Sequence, residues 1–154
     1  MNHQEKMHVL SRAIIVSQEK LLLCKTLDLE KQFYYLPGGH IEQNESAIQA
    51  LKRELKEETG FDSTIKRFLG CLEYSFDPGG NSICHNHEYN LFFEVESDFL
   101  KSHKKLISPE AKIGLTWISL GALKQIDLRP EPLKALIPRW LNEHLHKAFE
   151  SEMI

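Results

Sequence analysis

Leu36-Pro37-Gly38-Gly39-His40-Ile41-Glu42-Gln43-Asn44-Glu45, continued by Ser46-Ala47-Ile48-Gln49-Ala50-Leu51-Lys52-Arg53-Glu54-Leu55-Lys56-Glu57-Glu58-Thr59-Gly60-Phe61, is the stretch around which the chain is organised. Leu36 to Glu45 predicts a turn, because Pro37 fixes its own backbone angle and Gly38 and Gly39 tolerate conformations that other residues avoid. Ser46 to Thr59 predicts a helix. Ser46 suits the N-cap, and Gln49 three residues on completes a capping-box pattern. Ala47, Ala50, Leu51 and Leu55 are good helix formers, and Gly60 supplies the left-handed residue that commonly ends a helix.

On such a helix Glu54, Glu57 and Glu58 share one arc about 100° wide. Leu51, Leu55 and Ile48 lie on the adjoining arc, while Gln49, Lys52 and Lys56 point the other way. The three carboxylates therefore line the margin of the buried stripe. Like charges at this spacing each cost about a few tenths of a kcal/mol. A compensating partner is expected, and a hard divalent cation with oxygen ligands is the natural one. Arg53 stands four residues before Glu57 and can orient that carboxylate without neutralising the set. An acidic amphipathic helix behind a glycine turn is the plainer reading of the spacing alone.

The pattern is more specific than that. Gly39, five residues, Glu45, seven residues, then Arg53-Glu54-Leu55-Lys56-Glu57-Glu58-Thr59-Gly60-Phe61 resembles the complete signature of the Nudix hydrolases, with no signature position departing from it. The resemblance implies a single domain over residues 1–154, an α/β fold of the α/β/α sandwich type with a mixed sheet between helices. It also implies a pyrophosphohydrolase using magnesium, with manganese as a substitute. By the same resemblance Glu57 and Glu58 are the leading metal ligands, joined by Glu54 and by the Gly39 carbonyl, while Glu45 and Arg53 hold loop and helix in register. Arg53 and Glu57 are thus counted with the catalytic machinery. The general base in this family is a box glutamate or an acid from a distant loop. Glu110 is the candidate here, with Glu88 second; Glu88 also reads as a structural partner of its neighbour His87.

Outward from this centre, His8 to Val16 and Lys20 to Lys25 are apolar runs separated by Ser17-Gln18-Glu19 and predict two strands joined by a tight turn. The unbroken Leu21-Leu22-Leu23 suits a strand covered on both faces. Phe33-Tyr34-Tyr35 predicts a short strand entering the glycine turn. Alternation puts Phe33 and Tyr35 on one face, and Tyr35 is the ring expected to meet a nucleobase. Ile65 to Phe76 and His87 to Glu96 predict a long hairpin around Asp77-Pro78-Gly79-Gly80-Asn81. Asp98 to Gly114 reads as a loop, Leu115 to Ser119 as a last strand, and Leu120 to Ile126 as one helical turn. Pro130 to Ala148 predicts the closing helix, with Pro138 inside it. Arg129, just before Pro130, is the expected contact for a substrate phosphate or carboxylate. Lys101, His103, Lys104 and Lys105 read as a solvated loop, and Cys84-His85-Asn86-His87 has too few ligands at recognised spacing for structural zinc.

With 154 residues and no paired cysteine spacing among Cys24, Cys71 and Cys84, the chain needs no disulfides to bury a core, and its thiols suit a reducing, cytoplasmic setting. The formal charge of −3 provides no basic field, so a polyanion must be met locally and nucleic acid is disfavoured as a partner. The apolar run Ala13 to Val16 is too short to span a membrane. The expected partner is a small nucleotide-type substrate, with a homodimer left open. The expected reaction cleaves a phosphoanhydride in a nucleoside diphosphate linked to another group: ADP-ribose, a nucleotide sugar, a dinucleoside polyphosphate or a modified nucleoside triphosphate. The alternatives are an RNA 5′-end pyrophosphohydrolase and a nucleotide-sensing module without turnover.

Overall fold

In the computed structural model, residues 6–77, 86–102, 105–142 and 147–153 are described. The chain runs β1 (Met7–Ile14), β2 (Val16–Ser17), β3 (Lys20–Thr26), β4 (Tyr34–Tyr35), β5 (Gly38–His40), α1 (Ala47–Thr59), β6 (Thr64–Ser75), β7 (His87–Glu96), α2 (Asp98–Ser102), β8 (Ile113–Ser119), a 3-10 helix (Leu120–Gln125), α3 (Leu133–Leu141) and β9 (Phe149–Glu152). One sheet has the order β5-β1-β7-β6-β9, with β1 parallel to β7 and β6 parallel to β9. The second is built on β3, which pairs with β2, β4 and β8. Gln18 and Glu19, both at positive φ, make the two-residue turn between β2 and β3.

Ile15 is where the first long run changes sheets. Ile14 enters the core under α3 with Leu21, Leu23, Leu72, Phe92, Leu136 and Trp140. Ile15 enters the core under α1 with Ala13, Leu22, Leu51, Leu55 and Phe93. Leu21, Leu22 and Leu23 are fully buried, Leu22 on one side and its neighbours on the other, as their unbroken run predicted. The result is an α/β fold whose mixed sheet lies between helices. Among the described residues no helix is long and apolar enough to cross a membrane.

Several expectations change. The predicted turn Leu36–Glu45 contains strand β5, because Gly38, Gly39 and His40 find partners in Arg12, Ser11 and Leu10 of β1. Helix α2 occupies the start of the predicted loop Asp98–Gly114, and β8 begins at Ile113, two residues early. Ile48, placed on the buried stripe, is exposed. The closing helix stops at Leu141, where Asn142 takes an extended conformation. The Trp140 indole N–H donates to the Lys147 carbonyl at 2.9 Å, and the chain returns to lay Phe149 beside Cys71 on the sheet edge. Pro138 is accommodated within α3. The hairpin tip 78–81, and with it Cys84, His85, His103, Lys104 and Leu145, lies outside the described residues.

Candidate active site

The site is built from the way α1 is held against β5. Ser46 caps the helix: its Oγ accepts from the Gln49 N–H at 3.1 Å, and the Gln49 side chain accepts from the Ser46 N–H at 2.9 Å. At the other end Gly60 sits at φ 80° and donates to the Lys56 carbonyl. Both ends match the sequence reading. Between them, Arg53 binds the preceding loop. Its Nε and Nη2 donate to the two Glu45 carboxylate oxygens at 2.8 and 3.0 Å, and Nη2 also reaches the His40 carbonyl at 3.1 Å. Its Nη1 donates to Glu54 at 3.0 Å and lies 3.6 Å from Glu57. A planar fork with five donors can make this set of contacts and an ammonium cannot. The pair holds the Glu45 carboxyl below the usual carboxylate range.

The glycines explain how near the acids come. Gly38 has φ 128°, and a Cβ there would lie 2.1 Å from the Ser11 carbonyl oxygen. Its N–H donates to Glu58 Oε2 at 2.8 Å. A Cβ at Gly39 would lie 2.5 to 2.7 Å from the three carboxylate atoms of Glu54. The Glu54 carboxylate thus occupies the space a side chain on β5 would need. Glu58 is only 4 % exposed. Burial pushes its pKa up to about 8, against the Gly38 N–H and Arg12, which pull it down. Burial likewise raises Glu54, with Arg53 opposing.

Glu57 is half exposed and leans on Arg53. Among the described residues no three His, Cys, Asp or Glu side chains stand close enough to hold one ion in this conformation. The donor chemistry nevertheless fits a hard divalent cation. All three donors are oxygens, two are fixed at the Gly38-Gly39 strand, and Glu58 is a buried acid whose charged form a cation would stabilise.

The remaining predicted residues fall in two places. Pro109 would lie 3.3 Å from a Cβ at Gly60, so its loop rests on the end of α1. The charge of the neighbouring Glu110 helps to raise the pKa values of Glu58, Tyr35 and Cys24, which places it in their field. Tyr35 is half-buried, with the Arg12 guanidinium 5.9 Å from its ring and its hydroxyl pKa raised mainly by burial. Arg129 is linked to Tyr35 through Phe33, whose ring lies 6.0 Å from that of Tyr35. Its Nε and Nη2 donate to Asp127 at 3.1 and 2.9 Å, and its guanidinium lies 4.3 Å over the Phe33 ring. Glu88 does not pair with His87, because adjacent strand residues face opposite ways. His87 lies 3.8 Å from Glu73, and Glu88 accepts from Asn90.

Arg12 escaped the sequence reading. It stands in a largely apolar strand and donates through Nη1 to the Leu36 and Gly38 carbonyls at 3.1 and 2.9 Å, bracing the glycine strand. A lone cation inside the run Leu10 to Ile15 was the available signal.

Residues 7–140 match the NUDIX domain family, and the chain belongs to that family. It is 35 % identical over 68 residues to the 8-oxo-dGTP diphosphatase of Buchnera aphidicola subsp. Schizaphis graminum, covering 41 % of this chain and 50 % of that protein. It is 40 % identical over 72 residues to the ADP-ribose pyrophosphatase of Methanocaldococcus jannaschii, covering 46 % and 43 %. These matches span about half the length of the curated relatives. Among solved structures, a NUDIX hydrolase from Nitrosomonas europaea superposes with a TM-score of 0.69 at 21 % identity, covering 93 % of each chain, a likeness of fold.

Proposed function

We propose that this protein is a metal-dependent pyrophosphohydrolase that cleaves a phosphoanhydride bond in a nucleoside diphosphate linked to a further group. The observation that carries the reading is the pinning of Glu54 and Glu58 against Gly39 and Gly38, with Arg53 clamping the same edge to Glu45. The relatives named as an 8-oxo-dGTP diphosphatase and an ADP-ribose pyrophosphatase support it, since both names describe cleavage of a nucleotide diphosphate linkage.

Glu54, Glu57 and Glu58, with the Gly39 carbonyl, would hold magnesium, or manganese in its place. When bound, the ion offsets the negative charge of the phosphoryl oxygens and makes water a better nucleophile near neutral pH. The protein's own part is positional. Arg53 holds Glu54 and the loop before α1 in place, while Glu57 has to swing in to complete the set. The Gly38 N–H and Arg12 favour the charged form of Glu58, which burial opposes. Glu110, at the end of α1, takes the proton of the attacking water on a carboxylate oxygen. Tyr35, beside Arg12, would stack on the nucleobase.

A panel of nucleotide sugars, ADP-ribose, dinucleoside polyphosphates and modified nucleoside triphosphates, assayed with magnesium and with manganese, tests the reading. Glu57→Gln is expected to lower turnover at least about a hundredfold with the circular dichroism spectrum unchanged. Full turnover in that variant overturns the assignment.

A further inference from the structure

Arg12 differs from every other arginine of the chain. Arg53 faces Glu45 and Glu54, Arg67 faces Glu94, Arg129 faces Asp127 and Arg139 faces Glu150. Among the described residues Arg12 has no carboxylate within ion-pair reach. Yet it is half-buried, on a strand between the buried Ser11 and Ala13. A cation partly withdrawn from water is costly unless an anion or hydrogen-bond acceptors compensate it. Here the protein supplies two carbonyls and no anion.

The unused part of the side chain is the informative part. A guanidinium carries five N–H donors. Nη1 gives two, to the Leu36 and Gly38 carbonyls. The N–H groups of Nε and Nη2 meet no acceptor among the described residues. Neither nitrogen is among the buried atoms left without a hydrogen bond, so solvent reaches both. That same edge is the one by which Arg53 grips the two oxygens of Glu45 and Arg129 those of Asp127. A planar fork of this kind binds two oxygens of a carboxylate or phosphate side by side. Bracing the glycine strand needs only Nη1.

Position narrows which anion it meets. Gly38 donates its N–H to Glu58 and accepts from Arg12 on its carbonyl, so the buried acid and the guanidinium are tied to the two ends of one residue. The Tyr35 ring lies 5.9 Å from the guanidinium. The charge of Arg12 acts on Glu58, on Glu54 and on Tyr35 alike. Arg12 therefore stands between the acid edge and the aromatic residue. In a nucleotide the group between the cleaved anhydride and the base is the phosphate esterified to the nucleoside. Resting on the reading that the α1 edge receives the anhydride, we infer that Arg12 grips this nucleoside-side phosphate through Nε and Nη2 while Nη1 stays on the glycine strand.

The test is calorimetric binding of adenosine, guanosine and their 5′-monophosphates to the full chain, first with chelator and then with magnesium. Arg12→Met is expected to lower the ratio of monophosphate to nucleoside affinity about tenfold in both conditions. The fall with chelator excludes the metal as its route, and a merely loosened strand would weaken nucleoside and monophosphate together. Arg12→Lys keeps a charge and a donor for the Gly38 carbonyl but has one nitrogen in place of the fork. It is expected to fold and to lose about fivefold in the same ratio. An unchanged ratio in either folded variant overturns the inference. Equal affinity for nucleoside and monophosphate in the chelated wild type overturns it without any variant. Cleavage of the nucleotide panel with an undiminished ratio in Arg12→Met would sink the Arg12 contact and leave the proposed activity standing. A collapsed ratio in a protein that cleaves none of the panel would do the reverse.

Discussion

The two faces of the five-stranded sheet each carry buried carboxylate chemistry, and they are assembled in opposite ways. On the α1 side, Glu54 and Glu58 belong to one continuous stretch whose cap, clamp and stop residues are all within it: Ser46, Arg53 and Gly60. On the other side, Glu88 and Asn90 acquire their neighbours from β1 and β6, which are distant in sequence. The first region depends on an approach so close that a Cβ on Gly38 would lie 2.1 Å, and one on Gly39 2.5 Å, from the nearest atom. The second depends on which side chains the register happens to place in a row. The two regions therefore respond differently to the same kind of change.

Glycine substitutions break the comparison most sharply. Gly38→Ala would press a Cβ to 2.1 Å from a backbone oxygen at a φ of 128°, where nothing nearby can yield. It is expected to leave no cooperative thermal transition, a loss on the order of several kcal/mol. In Gly39→Ala the three atoms nearest the new Cβ all belong to the movable end of Glu54. It is expected to fold and to lose turnover, because Glu54 is displaced. A Gly38→Ala protein melting like wild type would show that β5 is not wedged as described.

The pH dependence comes next in size. Glu58 has a folded pKa of about 8 against an ordinary 4.5. Between those values the folded state binds more protons than the unfolded one, so stability is greatest below about 4.5. It falls as pH rises toward 8 and is level above, a few kcal/mol in all. Melting of the metal-free protein across this window, with chelator present, is expected to show the decline. Glu58→Gln is expected to remove it and magnesium to reduce it. A flat profile in the wild type would mean the carboxylate is solvated.

The smallest effect sharpens the local side of the contrast. Ser46→Ala removes one cap of α1 and is expected to cost about 1 kcal/mol in denaturant unfolding. An unchanged unfolding midpoint would show that the Arg53 clamp holds α1 without its cap.

Much of the α1 region was legible because its determinants are local. Cap geometry, the glycine stop and the spacing of the acids each act over four residues or fewer, and the helix ends where they say. Strand β7 was legible over His87–Glu96 for a similar reason, since alternation needs only neighbours. Reading failed where a partner elsewhere decides. Gly38 and Gly39 are conformationally permissive, and Gly38–His40 become a strand because β1 offers its edge. The helical pattern of Pro130–Ala148 could not foresee that Lys147 would bond the Trp140 indole and that Phe149 would join β6.

By itself the sequence determined the helix, its acid edge, the Arg53 clamp residue and the family, because these are properties of spacing along one chain segment. Tertiary structure alone decided that Arg12 braces the glycine strand, that Glu58 is buried enough to hold its proton near neutral pH, and that Glu88 lies beside Asn90 rather than His87. Burial and electrostatic fields are set by whatever packs alongside, and strand register rather than sequence distance chooses those neighbours.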